Sequence, residues 1–246
     1  MGLFDSKDDR PATQPNPEPD GPLDKLAATF VGKLVDIGIE GIGPVDSMEQ
    51  VVADARRKHG GDVEKAIDEI VSDHVKRAGA GGFVTGFGGI VTMPVSLPAN
   101  VLAFYTLATR MVASIAELRG YDTTSPAARS AVMLSLVGAD AEDLLQKAGL
   151  SAATSLTGSG RLARLAVSRM PATAGMMINK AVGFRLLTTV GGKALGRFIR
   201  FVPVAGGVVG AGLDGFLMKR LADHARREFP ARPTVDPALG ELAGSR

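Results

Sequence analysis

Apolar residues fall at helical spacing along most of this chain. After a polar, Pro-rich start, Leu23, Leu26, Ala27, Phe30, Val31, Leu34 and Val35 make one stripe, which Gly41-Ile42-Gly43-Pro44 ends. A second helix opens at Asp46 or Ser47, where Ser47 with Gln50, or Asp46 with Glu49, makes a capping box, and it stops at His59-Gly60-Gly61. Asp62 caps a third, with Val63, Ala66, Ile67, Ile70, Val71, His74 and Val75 on one face. Helices are further expected from Thr124 or Ser125 to about Val137, from Asp140 to Gly149, from Arg161 to Met170, from Ala172 to Thr189 and over 192–201. The last helix follows Pro203 and ends near Phe229-Pro230.

The centre of the pattern is Lys76 to Asp122. Between Arg77 and Arg110 there is no charged residue. Roughly 20 apolar residues suffice to cross a bilayer. Yet this stretch is rich in Gly and holds Pro94 and Pro98, so it reads as two apolar arms around a break at those prolines. Phe83, Phe87, Ile90, Met93 and Leu97 are the side chains it would offer to lipid. Gly82 and Gly86 form G-x-x-x-G, a spacing that lets helices approach closely, and Gly207, Ala211 and Gly215 repeat it in the last helix.

Composition narrows the functions open to such a chain. There is no Cys, which excludes disulfides, thiol chemistry and cysteine metal sites. The net charge is only +2, but from Leu144 to Leu213 there is no Asp or Glu. That span carries nine cations, among them Arg161, Arg164, Arg197 and Arg200, and suggests an anionic partner. Aromatic residues are too few for a single-strand nucleic-acid platform, so lipid headgroups are favoured and no nucleic acid is expected. Residues 1–22 and 230–246 are polar tails expected to be disordered, flanking one helical domain over 23–229. The start lacks a secretory signal; it matches the M-G-x-x-x-S pattern only loosely.

Catalytic motifs fail on context. Gly210, Gly212 and Gly215 satisfy G-x-G-x-x-G, but the chain leaves this helix at Pro230 and runs into a polar tail instead of the second strand a dinucleotide fold needs. Gly191-Gly192-Lys193-Ala194 lacks the leading Gly and the Ser/Thr of a P-loop, and Gly158-Ser159-Gly160 is not a nucleophile elbow. The three histidines have no metal-ligand spacing, so neither metal nor cofactor is expected. The polar residues within apolar runs are His74, Asn100, Arg110, Asn179, Lys180 and Asp214. His74 reads as a core or boundary histidine with one hydrogen bond, or as a proton carrier or ligand. Asp214 reads as a buried carboxylate paired to a cation, or as a proton or ligand contact. Arg110 should be paired or mark where its helix leaves the apolar zone.

GGFVTGFGGIVTMPVSLPAN, then Arg110, Gly120-Tyr121-Asp122, Asn179-Lys180 and the Pro203–Asp214 block, resembles the EcsC family over about residues 23–229. That family takes its name from a bacterial protein encoded beside an ABC transporter. The resemblance implies a membrane-associated accessory role, with an ABC transporter as candidate partner, and supplies no catalytic residue. The expectation is therefore an all-α single bundle with Gly-rich close contacts and an apolar hairpin around Pro94–Pro98. Its expected function is non-enzymatic, peripheral or monotopic on the inner face of the plasma membrane; the alternative is a soluble helical carrier of a lipid or other apolar ligand.

Overall fold

The computed structural model describes residues 21–42, 46–87, 89–138, 141–147, 160–189 and 203–232. It is an all-α bundle, with no strand among the described residues. The elements are α1 (Pro22–Val35), a π-helix (Asp36–Glu40), α2 (Met48–Lys58), α3 (Val63–Phe87), α4 (Gly89–Leu118), α5 (Pro126–Val137) and α6 (Ala141–Lys147). After them come α7 (Arg161–Ala166), α8 (Ala172–Thr189) and α9 (Pro203–Glu228). The expectations for 1–20, 148–159, 190–202 and 233–246 lie outside the described residues.

Local chemistry sets the boundaries. At α2, Ser47 Oγ accepts from Gln50 N at 3.1 Å and Gln50 Oε1 accepts from Ser47 N at 2.8 Å, a complete capping box. Gly60 and Gly61, with φ of +58° and +88°, turn the chain out of α2. At α5, Ser125 Oγ accepts from Ala128 N at 3.2 Å and Pro126 opens the helix.

The centre of the bundle is the second half of α4 and all of α5. Met111, Val112, Ile115, Val132, Met133 and Leu134 are fully buried there. One 18-residue window, Val101–Leu118, is long and apolar enough to cross a membrane, but 61% of it is buried inside the bundle. The break expected at Pro94–Pro98 is absent: α4 passes through both prolines, and α3 gives way to α4 between Phe87 and Gly89. Each proline removes one i→i−4 bond, and their spacing of four puts both losses on one side of the helix.

The most extensive helix contact is α3 with α9. They run antiparallel: Asp68 Oδ1 accepts from Arg226 Nη2 at 2.5 Å, Gly215 faces Val75, Gly79 meets the carbonyl of Ala211, and Gly82 meets Gly210. A Cβ on Gly82 would lie 2.5 Å from the carbonyl oxygen of Gly210, and one on Gly210 equally close to that of Gly82. The C-terminal end of α9 is clamped by Arg119, which donates to the carbonyls of Arg226 (2.7 Å) and Phe229 (2.9 Å) and to Glu64 (2.8 Å).

This contact predicts opposite effects for two alanine substitutions. Gly82→Ala should lower unfolding free energy by about 1–3 kcal/mol through overpacking. Gly32→Ala, where a Cβ meets nothing within 4 Å, should raise it by about 0.5–1 kcal/mol. Urea unfolding of the two variants beside the parent measures both.

Candidate functional site

Two regions gather the polar and apolar groups that the sequence singles out. The first is interior. His74, on the core face of α3, is 3% exposed; its Nδ1 donates to the carbonyl of Ile70 at 2.8 Å, and its Nε2 is buried without a partner. Burial pushes its pKa from an ordinary 6.5 down to about 4, and the charges of Arg110 and Arg77 push the same way against Asp73. His74 is therefore a neutral imidazole at neutral pH, with Nδ1 the protonated nitrogen.

Arg110, on α4, is 2% exposed. The sequence reads it as paired or as marking where its helix leaves the apolar zone; in the structure its partners are backbone carbonyls, Nε donating to that of Gly38 at 3.2 Å and Nη2 to that of Ile37 at 2.9 Å. These carbonyls belong to the π-helix, whose end carries the negative pole of its dipole, so the charge is met by peptide oxygens. Gly38 permits the approach, because a Cβ there would lie 2.9 Å from Thr109 Cβ. Burial and the Arg77 charge lower the Arg110 pKa, and Asp46 opposes them more weakly.

Asp214 sits on the α3–α9 seam, its Oδ2 2.7 Å from where a Cβ on Gly82 would be. Asn179 and Lys180 are half-buried on α8, and Asn179 Oδ1 is buried without a partner. A separate cavity of about 10 Å³, room for one water, is lined by Glu142, Arg161, His224 and Glu228. Arg161 pairs with Glu142 at 3.0 Å, and Glu228 Oε2 accepts from Leu162 N at 3.2 Å. No cluster of three or more metal-ligating side chains exists among the described residues.

The second region is the outer face of α8. Its inner side buries Gly175, Ile178, Val182, Gly183 and Leu186. Its outer side presents Met176, 71% exposed, with Met177 and, two turns on, Phe184. Arg164 and Arg169 precede it, exposed and without an ion pair among the described residues. Phe83 on α3 and Phe216 on α9 are exposed as well.

Of the lipid contacts named from sequence, Phe83 and Arg164 are thus exposed, whereas Arg161 is tied to Glu142. Phe87 falls in α3, and Ile90, Met93, Leu97 and Asn100 in α4; Arg197 and Arg200 lie outside the described residues. Gly86 and Gly207 lie in α3 and α9, toward one end of that antiparallel pair. Met176, Met177 and Phe184 were missed. The signal for them was an 18-residue helix with apolar residues on all sides and no acid.

The model of the EcsC protein family matches residues 61–233. The chain belongs to the EcsC family. The match begins just before α3, so this EcsC region holds the α3–α9 seam, His74, Arg110 and the α8 face, while α1, the π-helix and α2 precede it. No curated protein and no solved structure matches the chain.

The buried imidazole of this EcsC chain makes stability depend on pH. Its folded pKa is depressed, so the unfolded state binds the proton more readily, and stability present above pH 6.5 is lost as pH falls toward 4. The full loss is on the order of 3 kcal/mol. His74→Leu should flatten the decline between pH 6.5 and 5, above the carboxylate range. His224, also depressed by burial, contributes equally to parent and variant, so the difference between their urea-unfolding curves reports His74.

Proposed function

We propose that this EcsC protein is a peripheral membrane protein that seats the outer face of α8 on an anionic lipid surface, on the cytoplasmic side. The observation that carries this reading is Met176, Met177 and Phe184 standing exposed on a helix whose neighbouring sequence, 144–213, has cations and no acid. Each such apolar side chain contributes about 1.5–3 kcal/mol when removed from water, and each cation near an anionic surface about 1 kcal/mol. The two terms require different things of the membrane, apolar depth and negative charge, and α8 with Arg164 and Arg169 offers both. The most bilayer-like segment, Val101–Leu118, is largely enclosed by the bundle, which favours a protein lying on the membrane over one threaded through it. Support of an ABC transporter is the role the family resemblance suggests for a protein so placed.

Flotation tests the reading. The full chain should float with phosphatidylcholine vesicles containing about a quarter phosphatidylglycerol and stay in solution with phosphatidylcholine alone. Replacing Met176, Met177 and Phe184 together by Ser should abolish flotation at any salt concentration. Arg164→Gln with Arg169→Gln should weaken it, by about tenfold in lipid concentration, and only at low salt. In cells, salt washing should release the protein from the membrane fraction. Equal binding to neutral vesicles, or a triple Ser variant that still floats, would count against the proposal.

A further inference from the structure

Two of the three large apolar side chains on the outer face of α8 carry sulfur. Met176 is 71% exposed and Met177, beside it, is 52% exposed. Phe184, seven positions after Met177, continues the same side of the helix. The other methionines whose side chains are described are covered. Met48, Met111, Met133 and Met218 are buried in the core, and Met170 is half-buried against Gly175. The chain has no Cys and no Trp, so thioether sulfur is its most readily oxidised group. Among the described residues that sulfur is open to solvent chiefly at Met176 and Met177.

Apolar area alone does not call for methionine, because Leu or Ile would offer a membrane about as much. What the thioether adds is flexibility and a reactive lone pair. An oxidant turns it into a polar, chiral sulfoxide. With hydrogen peroxide the sulfur lone pair attacks one oxygen. An S–O bond forms, the O–O bond breaks, and the sulfur gives up two electrons. The hydroxide that leaves takes the proton of the transferred oxygen, so the products are sulfoxide and water. Two thiols of a reductase reverse the change, yielding thioether, a disulfide and water. A face that holds lipid by thioether side chains therefore has two states of very different polarity.

We propose that Met176 and Met177 form an oxidation site for peroxides, and that their sulfoxides release the protein from the membrane. Release of this kind rests on the reading of α8 as the membrane-seated face. In solution both sulfurs are open to the oxidant, and on lipid they are covered. Oxidant therefore acts on the free protein and withholds it from the surface. Each sulfoxide removes the apolar contribution of one side chain, on the order of tenfold or more in membrane affinity. Phe184, Arg164 and Arg169 are unchanged, so the oxidised chain keeps a weak attraction that salt screens. The core methionines, sealed from water, are spared, and the fold outlasts the modification.

The test uses the full chain, treated with a limiting amount of hydrogen peroxide. The mixture is floated with phosphatidylcholine vesicles containing about a quarter phosphatidylglycerol. Floated and unfloated fractions are then digested and mapped by mass spectrometry. Sulfoxide at Met176 and Met177 should be concentrated in the unfloated fraction. The doubly oxidised chain should need about a hundredfold more lipid to float. Treating it with the two methionine sulfoxide reductases, one for each sulfoxide epimer, and dithiothreitol should restore flotation. A variant with Met176→Leu and Met177→Leu is compared only with itself, before and after peroxide, and its lipid requirement should not change. Even division of the two sulfoxides between the fractions, no recovery on reduction, or a Leu variant that peroxide still displaces would each overturn the proposal. The two readings fail in different ways. An untreated chain that does not float removes the membrane-seated face, and the oxidation switch with it. An untreated chain that floats, with an oxidised form that floats as well, removes the switch alone.

Discussion

The bundle depends on two backbones touching. At Gly82 and Gly210, α3 and α9 approach until no Cβ fits between them, and Gly79 and Gly215 keep the rest of the seam narrow. Contact this close replaces bulky anchors: the chain has no Trp, and dispersion between many peptide atoms takes over what a large side chain does elsewhere. The same device recurs at Gly183, where a Cβ would strike the carbonyl of Ala27 and hold α8 off α1. Glycine weakens a helix in isolation, so these helices are stable only as partners.

The second constraint is the handling of buried charge. Arg110, Arg119 and Glu228 are each held by backbone groups at helix ends: Arg110 by the π-helix carbonyls, Arg119 by the last carbonyls of α9, Glu228 by an amide at the start of α7. Helix ends carry unsatisfied amides and carbonyls, so a buried side chain can close one end and be neutralised in the same contact. Arg119 ties this to the seam, because it also reaches Glu64 at the base of α3.

Much of this was legible in the sequence where one residue decides locally. Ser47 with Gln50, Gly60-Gly61 and Ser125-Pro126 set boundaries by their own chemistry, and the structure puts them there. The all-α class followed from helical spacing along the whole body. Prolines misled: Pro94 and Pro98 look like breaks, but a spacing of four lets α4 absorb them. The π-helix has no sequence signature, so the partners of Arg110 could not be read; only the α1–α4 crossing brings Ile37 and Gly38 to it. For the small-residue face, G-x-x-x-G spacing pointed at Gly82 and Ala211. Which glycine of α9 lies opposite Gly82 depends on the register of two helices far apart in sequence, in which Asp68 also meets Arg226. The α8 face was missed because charge drew attention to the arginines, and two methionines side by side look like core until the packing shows which side is covered.

The partners across the seam are distant in the chain: Asp68 and Arg226 are 158 positions apart. Ribosomes add about 5–20 residues each second, so α3 is made roughly 8–30 seconds before the part of α9 that closes on it. During that interval the glycine face of α3 has no cover, and a helix that needs its neighbour cannot hold its shape alone. The order of synthesis therefore leaves a nascent chain with an open apolar groove, for a time long enough that a chaperone or a lipid surface could occupy it before α9 arrives.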